Sequence, residues 1–371
     1  MIRAAARRRD ADQRDWLLRG TPPPPWVRWP PPLLLAAVVL IQTLTPQTPD
    51  LIFLVAAVTP LAALSYGPTA TALLGGLVLL LLTLPGLGLG HPGSGDQLTI
   101  TFIALLSVLF AWVRGRRERQ LVMVSTVAEA AQLAVLPPLP DRVGRVRCAG
   151  LYQAAQRESL VGGDFFDVRV SAHGVRALVG DVQGHGLAAV GTVAALLGAF
   201  REAVIDMAEL EGVAARLDRR LVVDSADEEH TELFATAVFL EFPDGSDVVH
   251  VLSCGHPAPL LLRGPDVTEL SVASGPPLGL GIAGTAPPER LTVPLFPGDR
   301  LLALTDGVCE ARDATGAFYP LLERLSAMIE ADPAVVDDPP ALTEQVWSDV
   351  LRHAGAVRDD VTMMVFAPER R

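Results

Sequence analysis

From Leu51 to Leu84 the chain carries no charged side chain, and Leu77 to Leu84 is almost pure leucine. A helix in water keeps a polar face, and this stretch has none to offer. Four apolar segments occupy roughly 33–45, 51–66, 69–84 and 98–113. Each is somewhat shorter than the ~20 residues that cross a bilayer upright, although uncharged flanks extend them. They read as membrane spans; a buried helical bundle in a soluble protein is the alternative. Arginines set the orientation. Arg7, Arg8 and Arg9 precede the first segment, Arg114, Arg116, Arg117 and Arg119 follow the last, and the loops between hold none. Both ends are therefore expected in the cytoplasm, with an even number of spans: four, or two if the segments pair as re-entrant hairpins. The reading is a multi-pass protein of the cell (plasma) membrane with 33–113 as its transmembrane region. Residues 1–32, Arg-rich and then Pro-rich, read as a disordered cytoplasmic tail with Trp26 and Trp29 as interfacial anchors. Their apolar core comes too late for a signal peptide. His91 sits in a Gly/Pro-rich loop on the expected outer face, and the spans contain no row of ionisable groups that would serve transport.

The remainder is different in kind. Residues 1–120 hold 11 Arg against 6 acids, a balance of +5, whereas the whole chain stands at −12, so the rest contributes −17. An acidic body of that size argues against a nucleic-acid partner. Cys148, Cys254 and Cys309 are odd in number and widely spaced, which suits a reducing compartment and fits no zinc or disulfide pattern. Residues 114–140 form a linker. Leu121, Val124, Val127, Ala128, Ala131 and Val135 recur at helical spacing, then Pro137, Pro138 and Pro140 stop the helix. This face would support a homodimer through a short coiled coil, or pack on the chain's own next domain.

Residues 141–371 alternate between strand-like and helix-like runs. Strands are predicted at 145–154, 164–170, 175–182, 234–242, 247–253, 258–262, 267–270, 300–304 and 360–366, and helices at 187–204, 207–222, 319–330 and 341–353. Long β runs with clustered helices indicate an α+β fold. Acids recur where apolar runs meet turns: Asp164 and Asp167 in Val161-Gly162-Gly163-Asp164-Phe165-Phe166-Asp167, Asp181 before Val182, Asp306 after Leu304-Thr305, and Asp359 and Asp360 before Val361. Carboxylates that converge repel one another unless a hard cation neutralises them. The chain has no lysine at all, so no lysine serves as counter-ion, Schiff base or phosphate-loop ligand. Two Mg2+ or Mn2+ ions ~3.5–4 Å apart would acidify a shared water from a pKa of 15.7 towards about 7 and let it attack phosphorus. Glycines at 163, 180 and 184 would let backbone approach closely.

Several blocks carry a resemblance: Leu133 to Pro140, Val161 to Asp167, Gly180-Asp181-Val182-Gln183-Gly184-His185-Gly186, Phe234 to Ala237, Gly255 to Leu260, Gly275 to Gly279, Thr305 to Ala311, and Asp359 to Thr362. In this order they make residues 125–367 resemble the bacterial PPM-type (type 2C) protein serine/threonine phosphatases, in the SpoIIE/RsbU branch. The resemblance implies a β-sandwich flanked by helices with a dinuclear Mn2+/Mg2+ site at one end. Asp181 would bridge two ions and the Val182 carbonyl would ligate one. Asp306 and Asp359 would share one ion, and Asp164 would serve the other. Asp167, His185 and Asp360 are candidates for supporting or proton-donating roles. Gln183 stands where eukaryotic relatives carry a proposed general-acid histidine, and Arg157 is a weak substitute for their phosphate-gripping arginine. His256 reads as a turn-former. The implied activity is hydrolysis of phosphoserine or phosphothreonine, with a phosphorylated anti-sigma-factor antagonist as partner. Two rivals stand beside this reading. A diguanylate cyclase signature is approached by Gly162-Gly163-Asp164 but lacks its glutamate. A catalytically silent PPM-fold module that binds a regulatory partner would keep the fold without the chemistry.

Overall fold

The computed structural model describes residues 25–44, 52–83, 94–138, 141–154, 162–227, 233–282, 286–357 and 359–369. Arg7, Arg8, Arg9, His91, Arg157, Val161 and Pro140, singled out above, lie outside them. The chain divides into two compact units, Met1–Val124 and Ser125–Arg371.

The first unit is helical: α1 (Pro30–Leu44), α2 (Ile52–Ala56), α3 (Val58–Ser65), α4 (Pro68–Thr83) and the start of α5 (Ser94–Val135). Pro60 explains the break between α2 and α3. It has no N–H to return to the preceding turn, and the helix is interrupted at Ala57. Val38, Val55, Val58, Val78 and Ile100 pack together inside. Leu73, Leu80, Phe102 and Leu105 are among the many apolar side chains turned outward. Gly95–Gln120, with mean hydropathy 1.9, is long and apolar enough to cross a membrane. Leu187–Asp206 passes the same length test but packs in the second unit's core. The Tyr66 hydroxyl donates to the Arg28 carbonyl, while the Arg114 guanidinium donates to the carbonyls of Ala63 (2.9 Å), Leu64 and Tyr66 (3.4 Å). The start of α1, the α3–α4 turn and the Arg114 level of α5 thus lie at one end of this unit. The apolar segment at 98–113 and most of the segment at 114–140, read separately in the sequence, fall within one 42-residue helix. The arginines at 114–119 lower hydropathy without interrupting helical geometry.

The second unit is a four-layer sandwich of the expected α+β class. One sheet contains β1 (Arg142–Val143), β2 (Val146–Gln153), β7 (Leu260–Arg263), β8 (Asp266–Glu269), β11 (Arg300–Leu304) and β12 (Val361–Pro368), in the order β1-β2-β12-β11-β7-β8. The other contains β3 (Asp164–Ser171), β4 (Gly174–Val182), β5 (Ala235–Pro243), β6 (Val248–Cys254) and β10 (Leu291–Pro294), in the order β10-β6-β5-β4-β3, with β9 (Ser274–Gly275) pairing β6. Helices α6 (Leu187–Asp206) and α7 (Leu210–Asp227) cover the second sheet. A one-turn α8 (Asp306–Cys309) follows β11, and α9 (Leu321–Ala331) and α10 (Pro339–Ala354) cover the first sheet. Strand side chains alternate between the two faces of a sheet. Along β12, Met364 and Phe366 join the inter-sheet core while Val361, Met363 and Val365 face the outer helices. Phe242 and Phe366 meet across the gap with ring centroids 5.9 Å apart. The short β1, β9 and β10 were not foreseen: two residues are too few to show a period, and β10 stands among Pro287, Pro288, Pro294 and Pro297, which read as loop.

Candidate active site

Antiparallel pairing decides where the acids meet. Strand β3 starts at Asp164 opposite the end of β4 at Asp181, and these two residues are register partners. The end of β11 lies opposite the start of β12, with Leu304 paired to Met363. Asp306 follows the first of these strands, and Asp359 and Asp360 precede the second. Both strand pairs therefore present their acid-bearing ends at one end of the sandwich.

Asp164 is 2% exposed and reaches across the gap between sheets. Its Oδ2 accepts from Thr305 Oγ1 at 2.8 Å and Thr362 Oγ1 at 2.7 Å. Those threonines are locked together, since the Thr362 N–H donates to Thr305 Oγ1 and the Thr305 N–H to the Thr362 carbonyl. Burial first, then the charge of Asp181, pushes the Asp164 carboxyl well above the usual carboxylate range; the hydroxyl bonds oppose this only partly. Asp181 is half-buried, and burial followed by Asp306, Asp359 and Asp360 raises its pKa to about 7. Asp306 is raised in the same direction, by burial and then by Asp359 and Glu310. Asp359 is exposed, and its Oδ1 accepts the Asp360 N–H. Asp360 is 2% exposed and accepts the Tyr152 hydroxyl on Oδ2 at 2.8 Å.

Glycines make the approach possible. A Cβ on Gly163 would stand 2.1 Å from the Val182 carbonyl oxygen and 2.7 Å from Asp181 Oδ1. One on Gly162 would stand 2.4 Å from the Asp360 carboxyl carbon. The backbone entering β3 thus lies against the groups that line the acid end.

Asp167 is placed otherwise. Three residues from Asp164 on a two-residue repeat, it faces the opposite side of the sheet. There its carboxylate accepts from Arg169 (2.8 Å), Arg201 of α6 (2.7 Å) and the Val168 N–H (2.8 Å). His185 is exposed in the loop that opens α6, between Gly184 and Gly186. His256 is buried; its Nδ1 pairs with Thr236 Oγ1 at 2.9 Å, and burial lowers its pKa to about 3, so the ring is neutral. Thr236 is the register partner of Asp181. The half-buried Cys309 thiol is pushed up to about 11 by burial and then Asp306, so it is no nucleophile near neutrality. Sequence reasoning missed Thr305, Thr362 and Tyr152. Of these, the threonines had a signal: each lies within three residues of an acid already singled out.

Do these residues suit divalent cations? The donors are all hard oxygens, and like charges rather than cations dominate the surroundings of Asp164, Asp181 and Asp306. Among the described residues, no three His, Cys, Asp or Glu side chains stand close enough to hold one ion by themselves. The hard oxygen donors of these acids are of the kind that suits Mg2+ or Mn2+.

The family model for stage II sporulation protein E (SpoIIE) matches residues 171–368, more than half of the chain. The chain belongs to the SpoIIE family. The matched region contains Asp181, Asp306 and Asp359 and begins just after Asp164. Among solved structures, the chain is similar to the SiaA-PP2C domain of Pseudomonas aeruginosa at 19% identity, covering 69% of this chain and 99% of that one with a TM-score of 0.55. It is also similar to the PP2C phosphatase domain and regulatory-domain fragment of SpoIIE from Bacillus subtilis, at 18% identity, 61% and 64% coverage and a TM-score of 0.50. The RsbU and RsbW domains of Rv1364c from Mycobacterium tuberculosis match at 25% identity, with 61% of each chain covered and a TM-score of 0.48. The overlap spans less than two thirds of these last two chains. The SpoIIE-family domain here has the PPM phosphatase fold, as the resemblance implied.

Proposed function

We propose that this SpoIIE-family chain is a membrane-anchored, metal-dependent phosphatase that removes phosphate from serine or threonine of a phosphorylated anti-sigma-factor antagonist. The observation that carries the reading is the crowding of Asp164, Asp181, Asp306 and Asp359 at one end of the sandwich, with the carboxyl groups of Asp164, Asp181 and Asp306 pushed up by burial and by neighbouring acids. Asp181, the Val182 carbonyl, Asp306, Asp359 and Asp164 would hold two Mn2+ or Mg2+ ions. When bound, such ions supply charge neutralisation and a water acidified enough to attack phosphorus. Thr305 and Thr362 both donate to Asp164 Oδ2, so Oδ1 would be the oxygen offered to an ion. Tyr152 and Asp360 brace the chain beside Gly162. His185, exposed beside the site, is the candidate to protonate the leaving serine or threonine oxygen.

Membrane anchoring rests on the outward leucines and phenylalanines of the first unit and on the Arg28–Tyr66–Arg114 level at one end of it. Polar ends gathered at one side of four apolar helical segments fit an even number of spans with both chain ends in the cytoplasm. The substrate assignment rests on the family resemblance. Manganese-dependent hydrolysis of p-nitrophenyl phosphate and of a phosphoserine peptide by the full-length chain tests the activity. Asp306→Asn should reduce it by about 10^3-fold or more, as removal of one member of a unit-acting site does. Wild-type protein that binds a partner but hydrolyses neither compound would favour the silent-module reading.

A further inference from the structure

Among the described residues, strand β3 is the last strand of its sheet. Across from it, the Val182 N–H donates to the Gly163 carbonyl at 3.1 Å. The neighbouring Asp164–Asp181 pair is therefore of the non-hydrogen-bonded kind, and the Asp164 carbonyl points away from β4. A carbonyl at a covered edge needs a donor from elsewhere. Helix α5 brings one: Gln132, 1% exposed, donates its Nε2 to the Asp164 carbonyl at 3.4 Å, the long end of the range. Only the NH2 side of an amide can meet a carbonyl, so the orientation is set by chemistry. The consequence is that Gln132 Oε1 is buried with no hydrogen-bond partner among the described residues.

That arrangement is hard to explain by packing. Gln132 sits beside Ala131 and Val135, which lie against Val190 of α6, and one turn from Leu136 in the main core. An apolar side chain would fill the same space without an orphaned oxygen. What the glutamine provides is a hold on the backbone of the acid that crosses the inter-sheet gap. We infer that Gln132 is a positioning residue. It fixes the Asp164 main chain from the sheet edge while Thr305 and Thr362 fix its carboxylate from the opposite sheet, and together they set the divalent-cation affinity of the site. This rests on the metal reading proposed above.

The test compares wild type, Gln132→Met and Val135→Ala as full-length chains in detergent. Mn2+ affinity is read from the electron paramagnetic resonance of free Mn2+, and melting is recorded without metal. Gln132→Met keeps length and removes the donor; Val135→Ala perturbs only packing on the same helix. We expect Gln132→Met to weaken Mn2+ affinity by about tenfold or more, the effect of losing an outer partner of a ligand, with turnover at saturating Mn2+ falling less than the affinity does. Its metal-free melting should change less than that of Val135→Ala, whose Mn2+ affinity should hold. Unaltered affinity in Gln132→Met, or a loss matched by Val135→Ala, overturns the inference alone. A wild-type chain that takes up no Mn2+ overturns it together with the site reading.

Discussion

Asp164 and Asp167 lie three residues apart on β3, both all but sealed from solvent, and the fold treats them oppositely. Asp167 faces the helical layer, where Arg169 and Arg201 hold its carboxylate. Asp164 faces the gap between sheets and receives two threonine hydroxyls, with Asp181 as its register partner. The same division recurs. Buried Glu241 pairs with Arg176 at 2.6 Å, and Asp299 with Arg263 at 2.8 Å. The domain thus neutralises these three buried scaffold acids, Asp167, Glu241 and Asp299, with arginine. At the end where Asp164, Asp181 and Asp306 meet, other acids are the main charged influence, which is what a site for divalent cations requires.

That contrast can be broken at its scaffold side first. Arg176 is fully buried, bonded to Glu241 and to the Met207 and Ala208 carbonyls after α6. Arg176→Met should destabilise by about 3–5 kcal/mol, because it strands a buried carboxylate. Adding Glu241→Leu should recover part of the loss in chemical denaturation. A single variant that melts like wild type would mean that the pair is not holding the layer. The next comparison concerns sign. Asp167→Asn should lower the melting temperature of the metal-free chain, corresponding to about 1–3 kcal/mol of lost stability, since both arginines are partly solvated. Asp164→Asn should raise it near neutral pH, because it removes a carboxylate that burial and Asp181 disfavour. Equal shifts of the same sign would erase the distinction.

The smallest effect is on pH. Folding raises the Asp181 carboxyl from 3.8 to about 7. The protonated form is the one the fold favours, so this contribution is fully present below 3.8 and is lost as pH rises through about 7. Between pH 4 and pH 8, metal-free wild type should lose more melting temperature than Asp181→Asn, and saturating Mn2+ should remove much of the difference. Parallel curves would contradict the assigned crowding.

Much of this organisation was legible in the residues. The acids at 164, 181, 306 and 359 each close or open an apolar strand, and strand pairing then brings their ends together. The two-residue alternation that separates Asp164 from Asp167 is also present in the numbering, but the resemblance takes both acids in one block, Val161 to Asp167, which makes Asp167 a candidate for a supporting role. Thr305 and Thr362 were not legible as partners of Asp164. A threonine in or beside a strand satisfies β propensity with no ligand to position, and its partner lies 141 or 198 residues away in sequence. Gln132 was hidden for a related reason: the apolar spacing of α5 drew attention to Ala131 and Val135 and away from the polar residue between them. The continuity of α5 was not legible because hydropathy changes at Arg114 while helix geometry is indifferent to that change.

The most direct measurement is the number of Mn2+ ions taken up by the full-length protein at equilibrium, compared with Asp181→Asn. Two ions per wild-type chain, with uptake lost or severely weakened in the variant, is the result expected of an acid end built for divalent cations. No uptake by wild type, or undiminished uptake by Asp181→Asn, would contradict that account.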